Sequence, residues 1–239
     1  MTHAISNGAT HEKTDKVART IAPYTSMKLS NVIDLFKGLT LPFCVLCIIA
    51  YKQHNNMTAC IYAATHGAYG LCWCTKSQLF PDKSWEKEVT IFEAVISSIM
   101  LALYWVAPWL ICASSTNHPP SYVATCVFIY ALGIFLHFSS DSQKYFTMRL
   151  RKGLISDGLF TLCRNPNYFG ELLIYLSFVL LAVPHWFPTA YLAFLICFLW
   201  VPSMAKKDES LSRHEGFKAY ALTSWMLFPK LLPRFPTIV

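Results

Sequence analysis

Asp157-Gly-Leu-Phe-Thr-Leu-Cys-Arg-Asn-Pro-Asn-Tyr-Phe-Gly-Glu171 runs directly into Leu172–Val183, a stretch without a single charge. Asn165 suits an N-cap, and Pro166 suits the first helical position, where the missing N–H costs nothing. The sequence therefore predicts a helix that begins in a polar cluster and continues into hydrocarbon. Asn167 and Glu171 lie one turn apart on one face, and Gly170 leaves the backbone open to close approach by a ligand. Arg164, the free N–H groups and the positive end of the helix dipole together make a seat for an anionic group such as a phosphate. The plainer reading is a capped, arginine-anchored transmembrane helix. Glu171 favours a function, because a carboxylate at or below the membrane surface is costly, about 2.5–3.5 kcal/mol at mid-helix.

Composition sets the class. Of 239 residues, 54% are hydrophobic, 15% aromatic and only 14% charged, which is not the make-up of a soluble domain. The expectation is an all-α polytopic transmembrane bundle of about six spans at roughly 20 residues each. The net charge of +7 does not point to nucleic acid, because the basic residues fall between apolar runs, where they set topology. Most of the nine cysteines lie in or beside apolar runs and behave as small hydrophobes. Cys72-Trp-Cys74 has the wrong spacing for a zinc or redox pair, so no metal is expected.

In chain order, residues 1–27 read as a polar, mobile, cytosolic tail, and the first span is expected to act as the targeting signal. Residues 28–239 form one transmembrane domain. Apolar runs cover 32–51, 57–75, 91–113, 122–138, 172–183 and 186–201. Asp34 and Lys37, one turn apart, suit an interfacial ion pair. Residues 76–90 and 142–156 read as charged loops, and residues 203–239 as a basic tail with a helix lying on the membrane. Only Lys52 of the twenty Lys and Arg falls in the three short loops of one side. Both termini and the Arg164–Glu171 cluster are thereby expected in the cytosol.

Three stretches carry a likeness: Ser140-Asp141-Ser142-Gln143-Lys144-Tyr145; then Asp157-Gly158-Leu159-Phe160 with Arg164-Asn165-Pro166-Asn167-Tyr168-Phe169-Gly170-Glu171; then Phe217-Lys218-Ala219-Tyr220 with Thr223-Ser224 and Phe228-Pro229. Over about residues 135–235 the chain resembles the membrane steroid 5-alpha-reductase family and its relatives of unassigned substrate. The resemblance implies NADPH entering from the cytosolic side and giving a hydride to a double bond conjugated to a carbonyl; an endoplasmic reticulum membrane is expected if the source is eukaryotic. Asp141, Asn167 and Glu171 match the cofactor motif, with Tyr168 and Tyr220 in support. Asn167 both donates and accepts, as carboxamide and ribose recognition require, and the acids accept from ribose hydroxyls or pair with Arg164 or Lys144. The chain departs from the family at His137, where an asparagine stands, and at Ala205-Lys206-Lys207-Asp208-Glu209, where an arginine and paired histidines are absent.

Residues 32–113 are assigned to a lipophilic substrate and 122–239 to the cofactor. Reduction of an enone needs a donor at the carbonyl oxygen, and the early spans offer His66, Tyr69, Glu93 and Tyr104. His66 and Tyr69 share one face. Gly67 and Gly70 beside them leave room either for a flat ligand or for a neighbouring helix. A different class, a membrane methyltransferase using S-adenosylmethionine on a lipid or isoprenylcysteine, is similar in the Arg-x-Pro-x-Tyr-x-Gly region, but Asn165 and Glu171 lean toward the reductase. A structural or transporter-like bundle is the third possibility; the absence of an internal repeat weighs against it.

Overall fold

The structure, a computed structural model, describes residues 27–230. The expected N-terminal tail and the end of the basic tail lie outside the described residues. Six long helices run in order: α1 Leu29–Ala50, α2 Met57–Leu79, α3 Ile91–Ala113, α4 Pro120–Leu150, α5 Pro166–Leu181 and α6 Trp186–Leu211, with a short α7 Phe217–Thr223. The two-residue strands β1 Met27–Lys28 and β2 Glu88–Val89 pair antiparallel. The all-α polytopic bundle expected from the sequence is what the chain forms.

Helices α1, α3, α4 and α6 are long and apolar enough to cross a membrane. Their outward faces are hydrocarbon, with Phe92 72% and Trp186 76% exposed, so the chain is an integral membrane protein. α2 and α5 fall short, α2 in apolarity and α5 in length. α2 turns Thr58, Thr65, His66 and Lys76 inward, where they join Lys37 of α1 and His137 and Asp141 of α4.

Local sequence explains the irregularities. Thr90 and Glu93 form a reciprocal capping box at the start of α3, so Glu93 serves the helix end. Pro108 cannot supply a bond to Tyr104, and the helix tightens into a 3₁₀ turn at Leu103–Trp105. Pro202 comes just after a π-turn at Leu195–Trp200 in α6. One expected loop, 142–156, is helical over most of its length because α4 continues to Leu150, whereas 76–90 stays a loop apart from the last turn of α2, which reaches Leu79. Lys76 near the end of α2 and Asp141 in α4 are buried and paired with each other, so both helices carry a charge past their apolar runs without leaving it unmatched. α6 likewise absorbs residues 203–211, leaving only α7 for the expected surface helix; there Leu222 faces outward while Tyr220 is buried.

The closest packing is α4 on α5, then α1 on α2. A Cβ on Gly133 would lie 2.7 Å from the Gly170 carbonyl oxygen, and one on Gly170 would strike the His137 backbone nitrogen. Gly170 is thus small to admit α4, not a ligand. In α2 a Cβ on Gly67 would come within 2.8 Å of Leu41, and one on Gly70 would collide with the Lys37 carbonyl. The room beside His66 and Tyr69 is filled by α1. Gly170→Ala should therefore destabilise the bundle by about 3 kcal/mol, the upper end for overpacking because the obstacle is backbone. Gly38→Ala, whose Cβ would meet only Cys74 Sγ at an ordinary 3.8 Å, controls for substitution at a helical glycine with room; thermal unfolding in detergent compares the two.

Candidate functional site

The interior between α1, α2, α3 and α5 is built around a lysine. Lys37 is buried, and its Nζ donates to the Tyr175 hydroxyl at 3.0 Å. It lies 4.1 Å from the Tyr69 ring centroid, with Tyr104, Trp73 and Tyr175 at 5.2, 5.3 and 5.4 Å. The expected Asp34–Lys37 ion pair is not formed, because Lys37 turns inward while Asp34 remains half-buried on α1. Aromatic faces hold the ammonium where a carboxylate was expected, each such contact contributing about 2 kcal/mol when desolvated.

Tyr69, fully buried, donates its hydroxyl proton to Glu171 Oε1 at 3.1 Å. The structure thus joins the candidate donor of α2 to the candidate cofactor acid of α5. His66 stands one turn away, its Nδ1 3.1 Å from the Tyr62 hydroxyl and its ring stacked on Phe178 at 4.3 Å. It packs as a satisfied core histidine.

The other candidates gather at the α4–α5 end. Asp141 forms a buried ion pair with Lys76, not with Lys144 or Arg164, and His137 Nε2 lies 4.0 Å from it. His137 Nδ1 meets the Asn167 carbonyl at 3.0 Å. Asn167 Oδ1 and His137 Nε2 are buried and lack a hydrogen-bond partner. Lys144 pairs with Asp82 at 2.7 Å. Although burial pushes the Asp82 carboxyl up, the Lys144 ammonium holds it well below the usual range. Burial pushes the Cys163 thiol up to about 11, leaving it protonated and unreactive.

Arg164 does not present its guanidinium to an anion. It bonds Asp208 of α6 at 2.9 Å and donates to the Ser224 carbonyl. Asn165 occupies the position before α5 but makes no side-chain cap. Its amide donates to Met226 O and its oxygen accepts from Lys207 Nζ, both at 2.9 Å. The Tyr220 hydroxyl donates to Phe160 O at 2.8 Å, and Tyr168 packs edge-on to Trp200. Arg164, Asn165 and Tyr220 thus tie the chain end to the 158–165 turn. Sequence reasoning missed Lys76, Lys207 and Tyr175, and placed Lys37 at an interface. The signal for Lys37 was a cation one turn inside an apolar run.

A narrow crevice of about 30 Å³ opens between α3, α5 and α6, walled by Tyr104, Tyr175, Phe178 and Tyr191. A smaller one, about 10 Å³, sits by Trp73, Lys76 and Asp82. Among the described residues no group of acids, histidines and cysteines has the arrangement of a metal site.

Fold and interior define a polytopic membrane protein with a lysine–tyrosine–glutamate seam buried among its helices. Residues 80–224 match the family described as Protein of unknown function (DUF1295), and the chain belongs to that family. No curated protein matches it. The match spans Asp141, Arg164, Asn167, Tyr168, Glu171 and Tyr220, whereas Lys37, His66 and Tyr69 precede it.

Two of the ion pairs at this end can be tested by stability. Arg164→Gln should cost about 3–5 kcal/mol by stranding Asp208 and should expose residues 212–230 to limited proteolysis. Asp82→Asn should cost about 1 kcal/mol at pH 7. A carboxyl depressed by folding stabilises above its free value of about 3.9 and loses that contribution below it. Unfolding at pH 7 and pH 3 should show the gap between Asp82→Asn and wild type narrowing at the lower pH.

Proposed function

We propose that the chain is a membrane-embedded oxidoreductase that reduces an activated C=C bond, an enone or enoyl group, in a lipophilic substrate with NADPH. The observation that carries this reading is the Tyr69–Glu171 hydrogen bond at 3.1 Å. It places an acid of the reductase-like motif against a buried phenol from the early spans, beside the Lys37 ammonium.

The residues fit the nicotinamide end of the cofactor. Asn167 Oδ1 is a buried acceptor without a protein donor, which a carboxamide N–H would satisfy, and Glu171 stands one turn further along the same face. The fit does not extend to Arg164, whose guanidinium is spent on Asp208 and the Ser224 carbonyl. Bound there, NADPH would supply a hydride. The part of this chain is to orient it through Asn167 and Glu171, exclude water with the aromatic seam, and present a hydroxyl donor to the substrate oxygen, stabilising charge as it develops. The alternation of Lys and Arg supports a cytosolic location of the termini and of the α4–α5 end. An endoplasmic reticulum membrane is the location that goes with this reading in a eukaryote.

Thermal-shift titration of the detergent-purified protein tests the reading, since a ligand that binds the native state raises its melting temperature. NADPH should stabilise the protein and S-adenosylmethionine should not. Glu171→Gln keeps an acceptor for Tyr69 but removes the charge, and should weaken NADPH at least tenfold, matching the loss of a charged hydrogen bond of about 1.5–3 kcal/mol. Stabilisation by S-adenosylmethionine alone would replace the reductase with a methyltransferase. NADPH affinity unchanged in Glu171→Gln would remove Glu171 from the site.

A further inference from the structure

Two hydroxyls of the seam point to different uses. The Tyr69 hydroxyl donates its hydrogen bond to Glu171 Oε1. Tyr175 is the reverse: its oxygen accepts from Lys37 Nζ at 3.0 Å, and its own proton makes no hydrogen bond of ordinary geometry among the described residues, the Tyr69 and Tyr104 hydroxyls being its neighbours. A phenol oxygen that accepts from an ammonium becomes a stronger donor through its own proton. Its nearest ring neighbours are Tyr104, stacked at 5.0 Å, and Trp200, tilted at 5.8 Å, with Tyr69 edge-on at 5.9 Å. Tyr175 and Tyr104 also wall the crevice between α3, α5 and α6, so one ring touches both the lysine cage and the cavity.

We infer that Tyr175, positioned and polarised by Lys37, is the donor that binds the carbonyl oxygen of a lipid whose end group enters this crevice. The inference rests on the reductase reading for the chemistry after binding, and assigns the carbonyl donor to Tyr175 in place of His66 or Tyr69. Size selects the class of lipid. A cavity of about 30 Å³ has space for about two water molecules. It admits the end group of a linear chain, whereas a fused-ring skeleton would have to part Tyr104, Tyr175 and Phe178. The expected ligand is thus an acyclic lipid carbonyl, its tail remaining among the lipid chains. Lys37 touches no ligand in this arrangement; it is a positioning residue.

The test uses the detergent-purified full chain without nucleotide, with 2-heptadecanone as probe and heptadecane as its matched hydrocarbon. The ketone should raise the melting temperature more than the alkane, and Tyr175→Phe should weaken ketone binding at least tenfold, to the level of the alkane. Lys37→Met should weaken the ketone less than Tyr175→Phe, since the donor remains. In case Tyr175→Phe does not fold, the infrared carbonyl band of ¹³C-labelled ketone on the wild type decides. A band shifted to lower wavenumber than in protein-free micelles supports the donor. An unshifted band, equal binding of ketone and alkane, or a ketone affinity untouched by Tyr175→Phe overturns it. Ketone binding that depends on Tyr175, found together with no response to NADPH, would keep this site and discard the reductase. NADPH binding without any preference for the ketone would do the opposite.

Discussion

An ammonium carried into the middle of a membrane-spanning bundle has to be stabilised on every side, and Lys37 has no carboxylate within ion-pair distance among the described residues. Its field is met by four aromatic rings drawn from α2, α3 and α5 and by one phenol oxygen. That requirement fixes the relative rotation of four helices. α1 must lie close enough to α2 for the lysine to reach the Tyr69 ring, and Gly70 under the Lys37 carbonyl provides the close approach. α5 must turn Tyr175 inward, which brings Glu171, one turn earlier, to the Tyr69 hydroxyl.

The division of labour among the helices comes from the same physics. Lipid rewards apolar surface and penalises unpaired polar groups, so the long apolar helices α1, α3, α4 and α6 surround the less apolar α2 and the shorter α5. The charge of α2 is matched within the protein, and that of α5 is met by a phenol, Tyr69. Lys76 of α2 meets Asp141 of α4, both about 5–6% exposed. The glycine contacts of α1 with α2 and of α4 with α5 let backbones approach without hydrocarbon between them, and that closeness puts the paired groups within reach.

Much of this architecture is legible in the sequence. The runs of apolar residues and the breaks at Lys52–Asn56, Ser114–Pro119 and Pro184–His185 mark the helices, because length and apolarity are local properties. The grouping of Asp141, Asn167 and Glu171 at neighbouring helix ends is legible through motif spacing. The partner each charge takes is not. Asp34 and Lys37 have ideal helical spacing and nevertheless point apart. Arg164 has the surroundings of an anion seat and is taken by Asp208, 44 positions away. Asn165 has the composition of a cap and bonds Met226 instead. Such choices depend on contacts between distant segments, which spacing along the chain does not encode. Gly67, Gly70 and Gly170 illustrate the same point: a small residue announces closeness, but not what comes close.

The chain end fastened by Arg164 and Asn165 bears on how the protein is made. Leu162 O, Arg164 N and the Asn165 amide find their partners at Lys230, Trp225 and Met226. Those residues leave the ribosome some 60 positions after the groups they satisfy. While α5 and α6 are being inserted, a guanidinium and a carboxamide therefore wait at the membrane boundary with water or the insertion machinery as their only company. Closure of that end is a late event in biosynthesis, and a transcript cut short before the codon for Met226 would leave the 158–165 turn without these partners.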